Sequence, residues 1–127
     1  MDKIIKTAGI QMSPEILNKD RNLDRCLELI KTAAKNRAQF IVFPEATLSG
    51  YVFNSLEEAL PVAETIPGAA TESIMKLCRQ LNVYVIVGLI EEDRGKYYNA
   101  AAFVGPHGLI GKYRKLHLPF LGIDRFL

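Results

Sequence analysis

"FIVFPEATLSGY", residues 40–51, decides how the rest of the chain is read. Phe40, Ile41, Val42 and Phe43 form a short unbroken apolar run. Such a run predicts a strand covered on both faces. Pro44 stops it, because proline has no N–H to give to a ladder. Glu45 follows at once. In open α/β sheets, ligands bind outside the carboxyl ends of the strands. A carboxylate at that place is costly to bury unless it is paired.

Strands and helices alternate on either side of this stretch. "IIKTAGIQM", residues 4–12, predicts a strand that Ser13-Pro14 breaks. Asp20 is placed to cap a helix over about 20–37. Leu23, Cys26, Leu27, Ile30, Ala33 and Ala34 lie at i, i+3, i+4, i+7 spacing and supply its apolar face. After Tyr51 come loops around a modest helix near 56–63. A clear helix begins at Thr71, with Ile74, Leu77, Cys78 and Leu81 on one face. "VYVIVGLIEE" predicts a strong strand from 83. "GKYYNAAAFVGPHG" predicts a turn, a strand and a tight turn, and "LIGKYRKLHL" a last strand. The order β-α-β-α-β-β-β combines parallel crossovers with antiparallel hairpins.

Bulk properties narrow the class. A length of 127 residues suits one domain. Lys+Arg is 16 and Asp+Glu is 14, a net charge of only +2, which argues against a nucleic-acid binder. No stretch approaches the roughly 18 apolar residues of a membrane span, and the N-terminus lacks a signal-peptide core. Cys26 and Cys78 belong to no metal-ligand spacing, so reduced buried thiols and a cytoplasmic location are expected.

Lys115 is the second charged residue at a strand end, just before "LHLP". It is a candidate partner for Glu45. From spacing alone, the favoured reading is an exposed loop acid and a solvated strand lysine. The motifs go further. "FPEATLSGY" and "KYRKLHLP" resemble the two N-terminal signatures of the carbon–nitrogen hydrolase family, or nitrilase superfamily. "AGIQM", "VGLIEE" and "YYNAAAFVGPHGLIGKYRK" match in the same order, so the resemblance covers about residues 4–126.

The resemblance implies an α-β-β-α sandwich, of which this chain holds the N-terminal half, and a Glu-Lys-Cys triad. It makes Glu45 the general base and Lys115 the stabiliser of the transition state. The nucleophilic cysteine of the family comes later in the domain and is absent from this chain. The domain is therefore expected to be truncated at Leu127, and a further glutamate often found after the lysine motif is expected beyond that residue too. The implied substrate is a small linear amide, hydrolysed without metal or organic cofactor, by a protein that forms homo-oligomers at full length. A thiol with a pKa near 8.5 needs a base to take its proton as it attacks. The negative charge that forms on the attacked group needs a cation set there beforehand.

The remaining candidates are weaker. Cys26 and Cys78 sit on helical apolar stripes, where cysteine behaves as a small hydrophobe. His107 lies in a turn, and His117 is read as orienting the lysine loop. Two histidines without a cysteine or acid at ligand spacing make no zinc site. Tyr51 is either a substrate-binding aromatic or a packing one. "KYRK" as a nucleic-acid patch lacks flanking stacking aromatics. A reading from another class stays open: the chain is a non-catalytic module that pairs with another chain through an exposed sheet.

Overall fold

The computed structural model describes residues 4–127. Five strands form one sheet: β1 Thr7–Gly9, β2 Phe40–Val42, β3 Tyr84–Asp93, β4 Lys96–Gly105 and β5 Gly108–Arg114, side by side in chain order. β1, β2 and β3 run parallel, and β3, β4 and β5 antiparallel. The helices are α1 Lys19–Lys35, α2 Leu56–Ala59 and α3 Ala69–Leu81. Short 3-10 turns cover Leu60–Val62 and Gly122–Phe126.

The crossovers fold as helices because their ends are satisfied. Asn18, not Asp20, caps α1: its side chain accepts from the Arg21 N–H, while Asp20 lies in the first turn. Two extra residues of helix place the cap two positions earlier. α3 is closed at its start by the Thr71 hydroxyl, which accepts from the Gly68 N–H at 2.8 Å. It ends at Asn82, whose left-handed backbone (φ 54°) returns an N–H to Cys78 O. Between β3 and β4, Arg94 and Gly95 both take positive φ, the pair that a tight hairpin turn of matching twist requires.

α1 and α3 lie on one face of the sheet. Cys26, Ile30, Ile74, Leu77 and Cys78 pack there with Ile41, Val85, Val87, Leu89, Ala102 and Val104. Each fully buried aliphatic side chain contributes about 1.5–3 kcal/mol. These are the first two layers, helices on a sheet, of the expected sandwich. The opposite face is different. Ile41 is fully buried but Val42 is 36% exposed, and Tyr84 and Tyr113 are exposed too. The expectation that residues 40–43 are covered on both faces is therefore corrected: both helices lie on one side. The open face is apolar all the same, with Phe40 meeting Phe103 edge-on at 5.7 Å.

β1 is shorter than expected, three residues instead of nine, because only Thr7–Gly9 has a partner strand to pair with. A second small core of Phe53, Ala59, Val62, Ile90 and Ile123 ties the 51–62 region to the last turn.

Gly88 of β3 decides how closely the chain after β2 can approach. A Cβ there would stand 2.6 Å from Pro44 O, 2.7 Å from Ala46 N and 2.9 Å from the Glu45 Cα. All three are backbone-chain atoms, which cannot swing aside. Gly88→Ala is expected to lose roughly 1–3 kcal/mol of stability by overpacking. Gly111→Ala, where nothing lies within 4 Å, is the control. Urea unfolding of both variants checks this; equal stabilities would refute the close-approach argument.

Candidate active site

The chain leaves β2 in a tight turn. Phe43 N donates to Ile86 O at 2.9 Å, Leu48 N to Gly88 O at 3.2 Å and Gly50 N to Ala46 O at 2.8 Å. Ala46 holds a left-handed φ of 51°, which costs a non-glycine residue about 1–2 kcal/mol. That bend, seated over Gly88, aims Glu45 across the open face towards the end of β5.

Lys115 arrives from the other side. Its backbone N–H donates to Asn99 O at 2.8 Å, continuing the β4–β5 ladder by one step. Its Nζ donates to Glu45 Oε1 at 2.7 Å and to Asp124 Oδ2 at 2.6 Å. The Asn99 side-chain amide bridges the same two acids. Its Nδ2 donates to Glu45 Oε1 at 2.6 Å and to Asp124 Oδ1 at 2.7 Å. Four side chains thus close a ring: acid, ammonium, acid, amide. It borders a depression of about 270 Å³ lined by Pro44, Glu45, Gly88, Asn99, Tyr113 and Lys115 among others.

The two acids are held differently. The Asp124 side chain is fully buried, whereas that of Glu45 is 46% exposed. Both close contacts of Glu45 fall on Oε1. Among the described residues nothing donates to Oε2, which leaves that oxygen able to take a proton. Burial works against the charge of Asp124, but hydrogen bonds from Lys115, Asn99 and Tyr51 outweigh it and hold the carboxyl below its usual range. Hydrogen bonds to Asp124 and then to Glu45 raise Lys115 well above an ordinary lysine. Two carboxylates and one ammonium leave the ring with one net negative charge.

Tyr51 reaches the site through Asp124. Its hydroxyl lies 3.0 Å from Asp124 Oδ2 and 3.1 Å from Leu121 O. Its ring centroid lies 6.0 Å from Lys115 Nζ. Gly122 takes a φ of 50° directly against that ring, and a Cβ there would lie 2.4 Å from Tyr51 Cε1. Ile123 N donates to Tyr51 O at 2.8 Å. The last turn is thus latched onto Tyr51, and the latch sets Asp124 under Lys115.

Glu45 and Lys115, both singled out from the sequence, come together. Asn99 and Asp124 were missed. The further glutamate was expected beyond Leu127; within the described residues Asp124, nine positions after Lys115, is a second acid in contact with it besides Glu45. The signal available was "GID", an acid in a glycine turn shortly after the lysine motif. Asn99 left no signal, being one neutral residue in a strand. His117 is exposed, and none of the hydrogen bonds on Lys115 comes from it. Cys26 and Cys78 are free thiols in the core beneath the helices, where burial pushes them up to about 12 and about 11. Neither lines the depression. Among the described residues, no three His, Cys, Asp or Glu stand together as metal ligands.

Comparison with known proteins bears on the family and the fold. The family model for carbon–nitrogen hydrolases matches residues 6–125. A nitrilase of Pyrococcus abyssi is 44% identical over 116 residues, covering 91% of this chain and 44% of the relative. An omega-amidase of Xenopus tropicalis is 43% identical over 102 residues, covering 79% of this chain and 36% of the relative. The crystal structure of an N-terminal amidase superposes with a TM-score of 0.80 at 31% identity, covering 91% of this chain and 28% of that one. The chain thus spans less than half the length of these relatives.

Asp124 makes stability pH-dependent with a defined sign. Its folded-state pKa is lowered, so the folded protein binds fewer protons than the unfolded chain in acid. Its contribution is complete above the ordinary carboxylate range and is lost as pH falls through the folded-state value. Asp124→Asn is expected to cost roughly 1–3 kcal/mol near neutral pH. It should also flatten the decline of unfolding free energy below about pH 5. Urea titrations across that range check both; an unchanged slope would show that Asp124 carries no such charge.

Proposed function

The chain belongs to the carbon–nitrogen hydrolase family, and from that premise we propose that it supplies the base and the cation of a thiol-dependent amidase site. The observation that carries this reading is the Lys115 ammonium held between Glu45 and Asp124 at 2.7 and 2.6 Å. The nucleophile in this reading is a cysteine thiol that is neither Cys26 nor Cys78 and is supplied from outside residues 1–127. Residues 1–127 are the N-terminal part of one hydrolase domain. The span relative to the relatives and the open apolar sheet face support this.

Glu45 takes the thiol proton, through its free Oε2, as sulfur bonds to the amide carbon. The carbonyl π pair moves onto oxygen, and the negative charge there is stabilised by Lys115 Nζ. Glu45 returns the proton to nitrogen as the C–N bond breaks, releasing ammonia or an amine and leaving a thioester. Water then attacks the thioester with Glu45 again as base, and the thiol is restored as the acid leaves. Asp124 keeps Lys115 charged throughout, and Asn99 holds the two acids in place on either side of it. Tyr51 serves through Asp124, and its ring beside Lys115 is the candidate substrate-binding aromatic. Two of the three relatives above are named amidases, which favours a small linear amide over a nitrile.

Three finer readings accompany this one. Two free, buried cysteines suit a reducing, cytoplasmic setting. The basic "KYRK" cluster is paired with carboxylates, which supports the reading of no nucleic-acid partner. The open apolar face favours assembly, either with the second layer of the domain or with another copy. That face also keeps alive the reading of a non-catalytic assembly module.

Ammonia release from short linear amides by the protein at its natural length separates the two readings. Glu45→Gln and Lys115→Ala are each expected to lower kcat by roughly 100-fold or more. A thiol alkylator should abolish turnover while leaving Cys26 and Cys78 unmodified. Full turnover in Glu45→Gln would overturn the catalytic reading, and no turnover by the folded wild type would favour the module.

A further inference from the structure

β5 is an edge strand without apolar anchors: none of its seven residues is buried. Yet Lys115, the cation of the proposed site, follows directly after it. Strand residues alternate between faces, so Arg114 points to the helix side and Tyr113 to the open side with the site. On the helix side stands a group that the catalytic ring does not use. Glu91 of β3 is fully buried. It accepts from Lys112 Nζ and, through two parallel bonds, from Arg114: Nε to Oε2 at 2.7 Å and Nη2 to Oε1 at 3.0 Å. Arg114 Nη2 also donates to Asp93 Oδ2 at 2.7 Å, and its guanidinium carbon lies 3.7 Å from the Tyr98 ring centroid. The tie therefore crosses β3, β4 and β5.

Stability alone does not account for it. Burying a carboxylate costs several kcal/mol, and a well-packed apolar residue is often as stable. A two-bond guanidinium–carboxylate pair does something that an apolar contact cannot: it fixes direction as well as distance. Arg114 is one residue from Lys115, and the Glu91 end of the pair is immobile inside the sheet.

We propose that Glu91 and Arg114 are positioning residues: their pair fixes the end of the edge strand and so sets Lys115 Nζ between Glu45 and Asp124. The inference rests on the catalytic reading of Lys115 given above. It assigns "KYRK" a divided task, with Lys112 and Arg114 clamping one face and Lys115 acting on the other.

Glu91→Gln keeps the shape and removes the charge; Arg114→Lys keeps the charge and removes the fork. Two measurements test them. The first is the rate at which acetic anhydride acetylates Lys115 relative to the other lysines, read by peptide mass spectrometry on the folded chain. Release of Nζ from its two acids is expected to raise that relative rate severalfold in both variants. The second is amide hydrolysis by the protein at its natural length. A roughly 10–100-fold loss in kcat is expected, with KM little changed. The double variant should lose no more than the worse single one, since the two residues act as a unit. Unchanged Lys115 labelling in a folded Arg114→Lys variant would overturn the proposal, whatever the activity. So would failure of both variants to fold, which would make the pair structural. Raised labelling together with a wild type that hydrolyses no amide would keep the clamp and reject the catalytic reading instead.

Discussion

Two carboxylates cannot share a small space with both charges intact unless a cation stands between them. Lys115 is that cation, and much of the fold is the means of bringing it there. Glu45 comes from the turn after β2, Asp124 from the last turn of the chain, and Lys115 from the end of β5. Three separate segments meet in one ring, and Asn99 on β4 closes it with a neutral donor to each acid. The ring is also asymmetric. The buried acid is saturated with donors and keeps its charge, while the half-exposed one has an oxygen to spare. Environment thus sets two like groups apart, one fixed and buried, the other partly open to solvent.

Around the ring the sheet has two distinct faces. The helix side is a closed apolar core that includes both cysteines. The other side is apolar but open, and it carries the site. Close backbone approach makes the site possible on that side. Without a side chain at Gly88 the turn bearing Glu45 settles directly onto β3, and Ala46 accepts a left-handed backbone to complete the bend. Gly122 does the same for the last turn against Tyr51. The two glycines let the turns that carry the two acids pack closely.

Much of the fold was legible because its signals are periodic. The 3.6-residue spacing of Cys26, Ile30 and Ala33, and of Ile74, Leu77 and Cys78, marks the buried sides of α1 and α3. "VYVIVGLIEE" marks β3. The failures are also physical. Asp20 looked like a cap, but the helix starts earlier and Asn18 makes the bond. The run of residues 40–43 showed that both faces of β2 are apolar, and it carried no information about what lies over each. His117 sits inside the lysine motif and yet stays exposed.

Composition, periodicity and the two motifs by themselves determined the strand and helix order, the family, and the presence of one carboxylate and one lysine at strand ends. Only the tertiary structure decided which groups meet. Glu45 and Lys115 are 70 positions apart, and Asn99 and Glu45 are 54. A single amide in a strand and a single acid in a glycine turn leave no repeating pattern to read. Likewise, Lys112, Arg114 and Lys115 form one basic cluster along the chain, and the pleat of the strand sends them to opposite faces and different partners. Local patterning is written in near neighbours. The site is built from distant ones, and their pairing depends on sheet register and on the two bends that bring the acids in.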